Sequence, residues 1–203
     1  MLFKGLYVLG FTGIIGVLSN KRYNEYVEMQ LDKDPKYIKT IYFPTLELWK
    51  KAIRKDKKNE LIDDIPPEYK NLLTLNDFGN KYFLGKDFNK HFTHIPLYKI
   101  TNQNEKHYNM KYETGENIDI NKDKFGIVGK CFGYDFFCDD TLYGIYFSDN
   151  PTKWGKLYEP YDKAHFIRKV TIPDDAQVII GYDEVRADKV ILGERTPYKD
   201  FNE

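Results

Sequence analysis

Between Ala164 and Arg195, AHFIRKVTIPDDAQVIIGYDEVRADKVILGER, apolar runs are separated by turn chemistry. Three short runs stand out. Phe166, Ile167, Val170 and Ile172 form the first, Gln177 to Ile180 the second, and Lys189 to Leu192 the third. The second ends at Gly181 and the third at Gly193. Pro173-Asp174-Asp175 separates the first two, because proline cannot donate to a ladder and aspartate bonds its own nearby backbone. The pattern predicts three strands at the centre of a small sheet. Leu97-Tyr98-Lys99-Ile100 and 142–147 (LYGIYF) predict two more, the latter closed by the turn or helix start Ser148-Asp149-Asn150-Pro151.

The period changes upstream. Leu46, Trp49 and Ile53 recur at helical spacing, with Leu48 and Ala52 beside them. Thr45 is placed to cap that helix, Glu47 suits its positive end, and Arg54, Lys55, Lys57 and Lys58 suit its negative end. Asp34-Pro35 predicts a turn, and 70–96 a short helix or irregular linker. Residues 1–20 carry an apolar stretch flanked by Lys4 and Lys21-Arg22. It is short for a membrane span, and it fits an anchor, a signal or a buried segment. Gly5, Gly10, Gly13 and Gly16 weaken a helix and favour the buried reading. The expected organisation is an apolar segment at 1–20, a helical region at 21–95 and a β-rich domain at 96–203. The fold class is α+β, a small helical part packed on a mainly antiparallel sheet.

Composition then removes several functions. The chain has 203 residues with 31 basic and 31 acidic side chains, a balance that argues against nucleic acid as a partner. Its arginines are Arg22, Arg54, Arg168, Arg186 and Arg195, and every other basic residue is lysine. Arginine is the usual choice for forked phosphate recognition, so this split points the same way. Cys131 and Cys138 are too few for a disulfide framework or an all-cysteine zinc site. His91 and His94 share a helical turn without a further ligand at suitable spacing, and Phe92 and Ile95 point to ordinary packing. Gly126, Gly129 and Gly133 are too irregular for a phosphate fingerprint, and Asp135, Asp139 and Asp140 do not have EF-hand spacing. No metal and no cofactor is expected.

Residues 101–119 are the distinctive polar stretch, lacking either apolar period while carrying His, Tyr, Asn, Glu and Asp in close order. Loops of this kind, held by a sheet, often bind ligands; a self-bonded surface loop is the plain alternative. The candidate ligand set is His107, Tyr112, Asn117 and Asp119, with Tyr98, Ser148 and Arg168 as possible lining. Hydrolysis by His107 with Glu105 or Asp119 is possible on residue type alone.

Thr45-x-Glu47-Leu48-Trp49-x-x-Ala52-Ile53 followed by Ile65-Pro66-x-Glu68-Tyr69 resembles one copy of a helical repeat of mimivirus-like giant DNA viruses. A lone copy has no neighbour of its own kind to cover it, which predicts packing on the following domain. LYKITN, HYNMKYETGENID, GKC, GIYFSDN, Trp154, FIRKVTIPDDAQVI and RADKVILGER resemble, in the same order, an uncharacterised domain of that virus group; 132–141 reads as an insertion. The resemblance implies a viral protein acting in host cytoplasm or in the virion. It implies no reaction. The expected role is non-enzymatic, binding an unknown viral or host protein, with a membrane contact possible through 1–20. The strand order also resembles ADP-ribosyltransferases, which place a glutamate just before the last strand. Here Asp188-Lys189 stands there, with Glu184 before it and Glu194 after it, which implies a nucleotide-binding fold with degenerate catalytic residues.

Overall fold

The structure is a computed structural model that describes residues 20–79, 81–107, 110–122, 125, 143–158, 164–181 and 184–201. Most of 1–20, 126–142 with both cysteines and the insertion-like stretch, and the side chain of His107 lie outside the described residues. No described helix is long and apolar enough to cross a membrane. The chain is α+β, and it divides into two compact units between Leu73 and Thr74.

The first unit is helical. α1 (Asn20–Lys33) is followed by a 3-10 helix (Pro35–Thr40), α2 (Leu46–Lys55), a 3-10 turn (Ile62–Asp64) and α3 (Pro67–Lys70). Asp34 opens the first 3-10 helix, its carboxylate accepting from Lys36 N at 2.9 Å. Thr45 caps α2 by accepting from Leu48 N at 3.3 Å. Val27 and Leu31, one turn apart on α1, are buried, as are Ile38, Trp49, Ala52, Ile53, Leu61 and Ile65. The repeat-like stretch therefore contributes to a core within its own unit. Glu28 and Asp32 on α1 meet Lys51 and Lys55 on α2 at 2.8 and 3.2 Å. Both pairs repeat at i, i+4, but exposed ion pairs of this kind contribute only about 0–1 kcal/mol each.

The second unit starts earlier than the composition suggests. Residues 81–84 form β1, a strand inside the stretch expected to be helix or linker. Its Phe83 is buried between alternate exposed positions, which makes it a half-buried strand and not a linker. α4 (Gly85–Phe92) follows, then β2 (Tyr98–Thr101), the short hairpin β3 (Lys106–His107) and β4 (Met110–Lys111), and β5 (Gly115–Ile118). β6 (Ile145–Phe147), α5 (Pro151–Tyr158), β7 (Phe166–Thr171), β8 (Gln177–Ile180), β9 (Val185–Ala187) and β10 (Lys189–Pro197) complete it.

The strands of 164–195 do not form one sheet. They supply the centres of two four-stranded antiparallel sheets, ordered β1-β8-β9-β6 and β2-β7-β10-β5. β9 runs into β10 through the single residue Asp188, so one bent strand belongs to both sheets. At another place the sheets meet edge to edge: Tyr98 N donates to Ser148 O at 2.8 Å and Ser148 N to Tyr98 O at 2.9 Å. Ile145, Phe147, Val178, Ile180, Val185 and Ala187 bury one face of the first sheet, and Ile167, Val190 and Leu192 are buried in the second.

α4 docks on the turn that Pro173-Asp174-Asp175 was expected to make. Gly85 N and Lys86 N donate to Ala176 O and Asp174 O at 2.7 and 2.8 Å, and Asn89 Nδ2 donates to Ile172 O at 2.9 Å. Phe88 and Phe92 then join Phe78 and Phe83 in an aromatic cluster, with Phe78 and Phe92 edge to face at 4.8 Å. A Cβ on Gly85 would lie 1.8 Å from the Pro173 carbonyl oxygen. Backbone cannot yield as a flexible side chain would, so Gly85→Ala should destabilise the protein by at least about 1–3 kcal/mol. Urea denaturation checks this, and an unchanged midpoint would show that α4 does not need so close an approach.

Candidate functional site

The register of the second sheet sets Lys99 on β2 opposite Arg168 on β7, and Arg168 opposite Arg195 on β10. Residues directly opposite one another in antiparallel strands point to the same side. Three cations thus stand in a row across three adjacent strands. Like charges in such a row are unfavourable unless something compensates them.

Glu105 compensates two. Its carboxylate accepts from Arg168 Nε at 2.7 Å and from Arg195 Nη1 at 3.0 Å. Arg168 Nη1 also donates to Gly193 O at 2.7 Å and to Thr114 Oγ1 at 2.9 Å. A register shift between Leu192 and Arg195 accompanies the Gly193 contact. Glu105 and Arg168 are buried, whereas Arg195 is largely exposed and lies over the Phe166 ring at 4.8 Å. Burial pushes the Glu105 carboxyl up, but the hydrogen bonds from Arg168 and Arg195 outweigh it and hold the group below the ordinary glutamate value. Glu105 adopts φ +51°, a left-handed conformation uncommon outside glycine. Asn102 O accepts from its N–H at 3.1 Å, and Asn102 Oδ1 accepts from Asn104 N and Lys106 N, both at 3.1 Å.

Lys99 receives no carboxylate. The residue is 1 % exposed, and its Nζ lies 4.5 Å from the centre of the buried Tyr112 ring. Among the described residues Nζ has no hydrogen-bond or ion-pair partner. Burial without a counter-charge penalises the ammonium form and pushes Lys99 from 10.5 down to about 7. Tyr112 is itself held in place by its N–H, which donates to Glu105 O at 2.8 Å.

Lys99 also lines a small cavity beside the bridge between the sheets, together with Tyr98, Ile100, Tyr146, Phe147, Ser148 and Trp154. Its volume of about 20 Å³ holds roughly one water-sized occupant. No carboxylate is among the lining residues. Burial raises the carboxyl of the neighbouring Asp149, overcoming its hydrogen bonds.

The candidate residues fall into separate places. Tyr112 and Arg168 flank Lys99, while Tyr98 and Ser148 line the cavity. Ser148 Oγ accepts from Asn150 N at 3.0 Å, closing the turn before α5. Asn117 is occupied locally: Nδ2 donates to Glu113 O and Gly115 O, both at 2.8 Å, and Oδ1 accepts from Glu113 N at 3.1 Å. Asp119 accepts from Asn121 N at 2.9 Å and from Gly144 N. These two residues hold turns and do not join Lys99 or the cavity lining. For His107 the structure describes the backbone, which pairs with Met110. The stretch 101–119 is thus not one long loop: a hairpin and β5 lie in it, the latter paired with β10. Among the described residues no three His, Cys, Asp or Glu side chains are grouped to hold a metal.

The acidic residues near the last strand are also engaged. Asp188 accepts from Gln177 N at 2.8 Å, Glu184 lies 3.7 Å from Arg186 Nε, and Glu194 accepts from Thr114 Oγ1 at 3.4 Å. Compared with protein-family models, with curated proteins and with solved structures, the chain matches none.

Two measurements probe the charge row. Arg168→Met leaves a buried carboxylate with the exposed Arg195 alone, and should cost about 3–5 kcal/mol in urea denaturation; a loss below about 1 kcal/mol would show the cluster to be dispensable. For Lys99, the unfolded chain binds a proton that the folded state lacks between about pH 7 and pH 10.5. Stability should therefore rise with pH across that window, by at most about 1.4 kcal/mol per pH unit. Lys99→Met should be more stable at neutral pH and should lose this rise. An identical rise in the variant would assign it to another group.

Proposed function

We propose that this chain is a non-enzymatic interaction protein of giant-virus origin, acting on a viral or host protein in the host cytoplasm or the virion. The motif order resembling the giant-virus domain supports the origin. The observation that carries the interaction role is on the helical unit: Tyr42 and Phe43, adjacent in sequence, are 89 % and 81 % exposed. Their rings lie edge to face, 4.6 Å apart. Large exposed aromatics are the side chains that most often anchor protein interfaces, because covering them removes much apolar area at little entropic cost. The partner is accordingly a protein with an apolar pocket.

A nucleotide-binding fold resembling ADP-ribosyltransferases is the second reading. The cavity at the meeting of two antiparallel sheets, lined by Tyr98 and Ser148, favours it. Ligand pockets run to about 300–1,000 Å³, however, and this cavity is far smaller. Asp188 is spent on Gln177, and the lining offers no carboxylate to stabilise developing positive charge. Binding without transfer is the form of that reading the residues support.

The interaction role is tested by quantitative capture from host-cell lysate and from virions with immobilised wild type and a Tyr42→Ser, Phe43→Ser double variant. Both positions are exposed, so the fold should survive. Loss of a central aromatic anchor costs about 2 kcal/mol, roughly thirtyfold in Kd. The double variant should therefore lose its specific partner. Equal capture by both proteins would remove the aromatic pair as the contact.

A further inference from the structure

We propose that Thr196 is the phosphate acceptor for a proline-directed protein kinase, and that the phosphate pairs with Lys169 on the neighbouring strand. The inference is independent of the interaction reading and rests on the second unit alone. Of the nine prolines in the chain, Pro197 alone follows a serine or threonine. A kinase that takes proline after the acceptor holds that residue in an apolar pocket. An N–H there would be left without a partner, and proline has none. Lys199, three places after Thr196, adds the cation that many kinases of this class favour at that position.

The fold presents this segment in the form a kinase reads. Thr196, Pro197 and Lys199 are exposed, and among the described residues the Thr196 hydroxyl has no hydrogen-bond partner. Kinases hold the acceptor segment extended. β10 is already extended through Thr196, and Pro197 continues it at φ −56° and ψ 130°. β7 pairs with one edge of this stretch, whereas β5 pairs with β10 only over 189–192. Among the described residues the other edge of 194–197 therefore has no strand against it, and the main chain of an incoming enzyme can lie along it.

Register supplies the partner for the phosphate. Thr196 stands opposite Ile167, and Ile167 opposite Ile100. Alternation along β7 puts Lys169 on the same side, diagonal to Thr196 and within reach of a long side chain. Lys169 is exposed, and among the described residues it has no ion-pair or hydrogen-bond partner. Arg195 lies on the other side of the strand, where Glu105 holds it. In the transfer the Thr196 hydroxyl oxygen attacks the γ-phosphorus of ATP, and the bond from that phosphorus to the bridging oxygen breaks. ADP leaves with the electron pair, and the hydroxyl proton passes to the kinase's catalytic carboxylate. The product carries a charge of about −1.5 to −2 and three acceptor oxygens near neutral pH.

The test incubates the native full chain with a purified cyclin-dependent kinase, ATP and magnesium, and maps phosphate by mass spectrometry. A peptide spanning 190–203 serves as the fully accessible reference. The native chain should be phosphorylated at Thr196 within about tenfold of the peptide's rate, whereas a site reached only by unfolding would lag by about a thousandfold or more. Thr196→Val keeps the shape without the hydroxyl and should abolish the uptake. A larger deficit in the native chain, uptake only at other residues, or uptake by neither substrate would overturn the proposal. For Lys169 the readout is a 31P titration of the phosphorylated chain. The second ionisation should lie below its ordinary value of about 6, and Lys169→Met should move it back toward that value. Glu194, Arg195 and Lys199 are present in both chains, so the difference belongs to Lys169. No change in that variant would overturn the pairing. Mapping of the wild type decides the acceptor by itself, so poor folding of a variant would not protect the idea.

Discussion

Asp188 is the residue on which the second unit turns. A strand that leaves one sheet and enters another must stop pairing on one side and start on the other within a step, and its backbone groups must find partners throughout. Asp188 does this with both backbone and side chain. Its N–H donates to Gln177 O, its carboxylate accepts from Gln177 N, and its carbonyl accepts from Asp119 N. β8 is thereby fixed to the end of β9, and the exit of β5 to the start of β10. The Tyr98–Ser148 bridge fastens the sheets again, so neither sheet slides without breaking backbone hydrogen bonds.

Charge in this unit is distributed by the same topology. Register aligns Lys99, Arg168 and Arg195, yet only the two arginines receive the carboxylate of Glu105. Arginine suits that role, since its planar fork serves Glu105, Thr114 and Gly193 together, whereas a lysine offers a point charge. Lysine suits the third position for the opposite reason: it can give up its proton when buried, and arginine cannot. Burial at the third position favours the uncharged amine, which lowers the repulsion along the row. Glu105 holds its place with a left-handed backbone, and the oxygens of Asn102 accept hydrogen bonds from the N–H groups of Asn104, Glu105 and Lys106 around it.

Much of this was legible before any coordinates. The α+β class, the Thr45 cap, the Pro173-Asp174-Asp175 turn and the strands around 166–172, 177–180 and 189–192 follow from local chemistry, which needs no knowledge of distant partners. Division of those strands between two sheets was not legible, because Asp188 looks like any polar residue between apolar ones. β1 was missed since four residues with two exposed aromatic or aliphatic side chains give too short a period. Asn117 and Asp119 stand out as polar residues in a polar stretch; the Asn117 side chain, from within β5, braces the turn at 113–115, and Asp119 holds the backbone of Asn121 and Gly144. Lys99 was passed over for the converse reason: in LYKIT a lysine reads as the solvent face of an edge strand. The register that sets it against Arg168 and the ring of Tyr112 over its Nζ show that this face is turned inward.

The order of the strands also has a bearing on biosynthesis. β1, β2, β5 and β6, the outer members of both sheets, precede β7 to β10, the inner ones, along the chain. While a ribosome is still translating the first 165 residues, each outer strand has been made without the neighbour it pairs with. Neither four-stranded sheet can begin to pair before β7 is made. The helical unit can close its core at once, but the sheet unit is complete only when Phe166 to Pro197 has left the exit tunnel, and its pairings are long-range. Until that moment nascent chains carry open strand edges, the condition in which chaperone capture matters most.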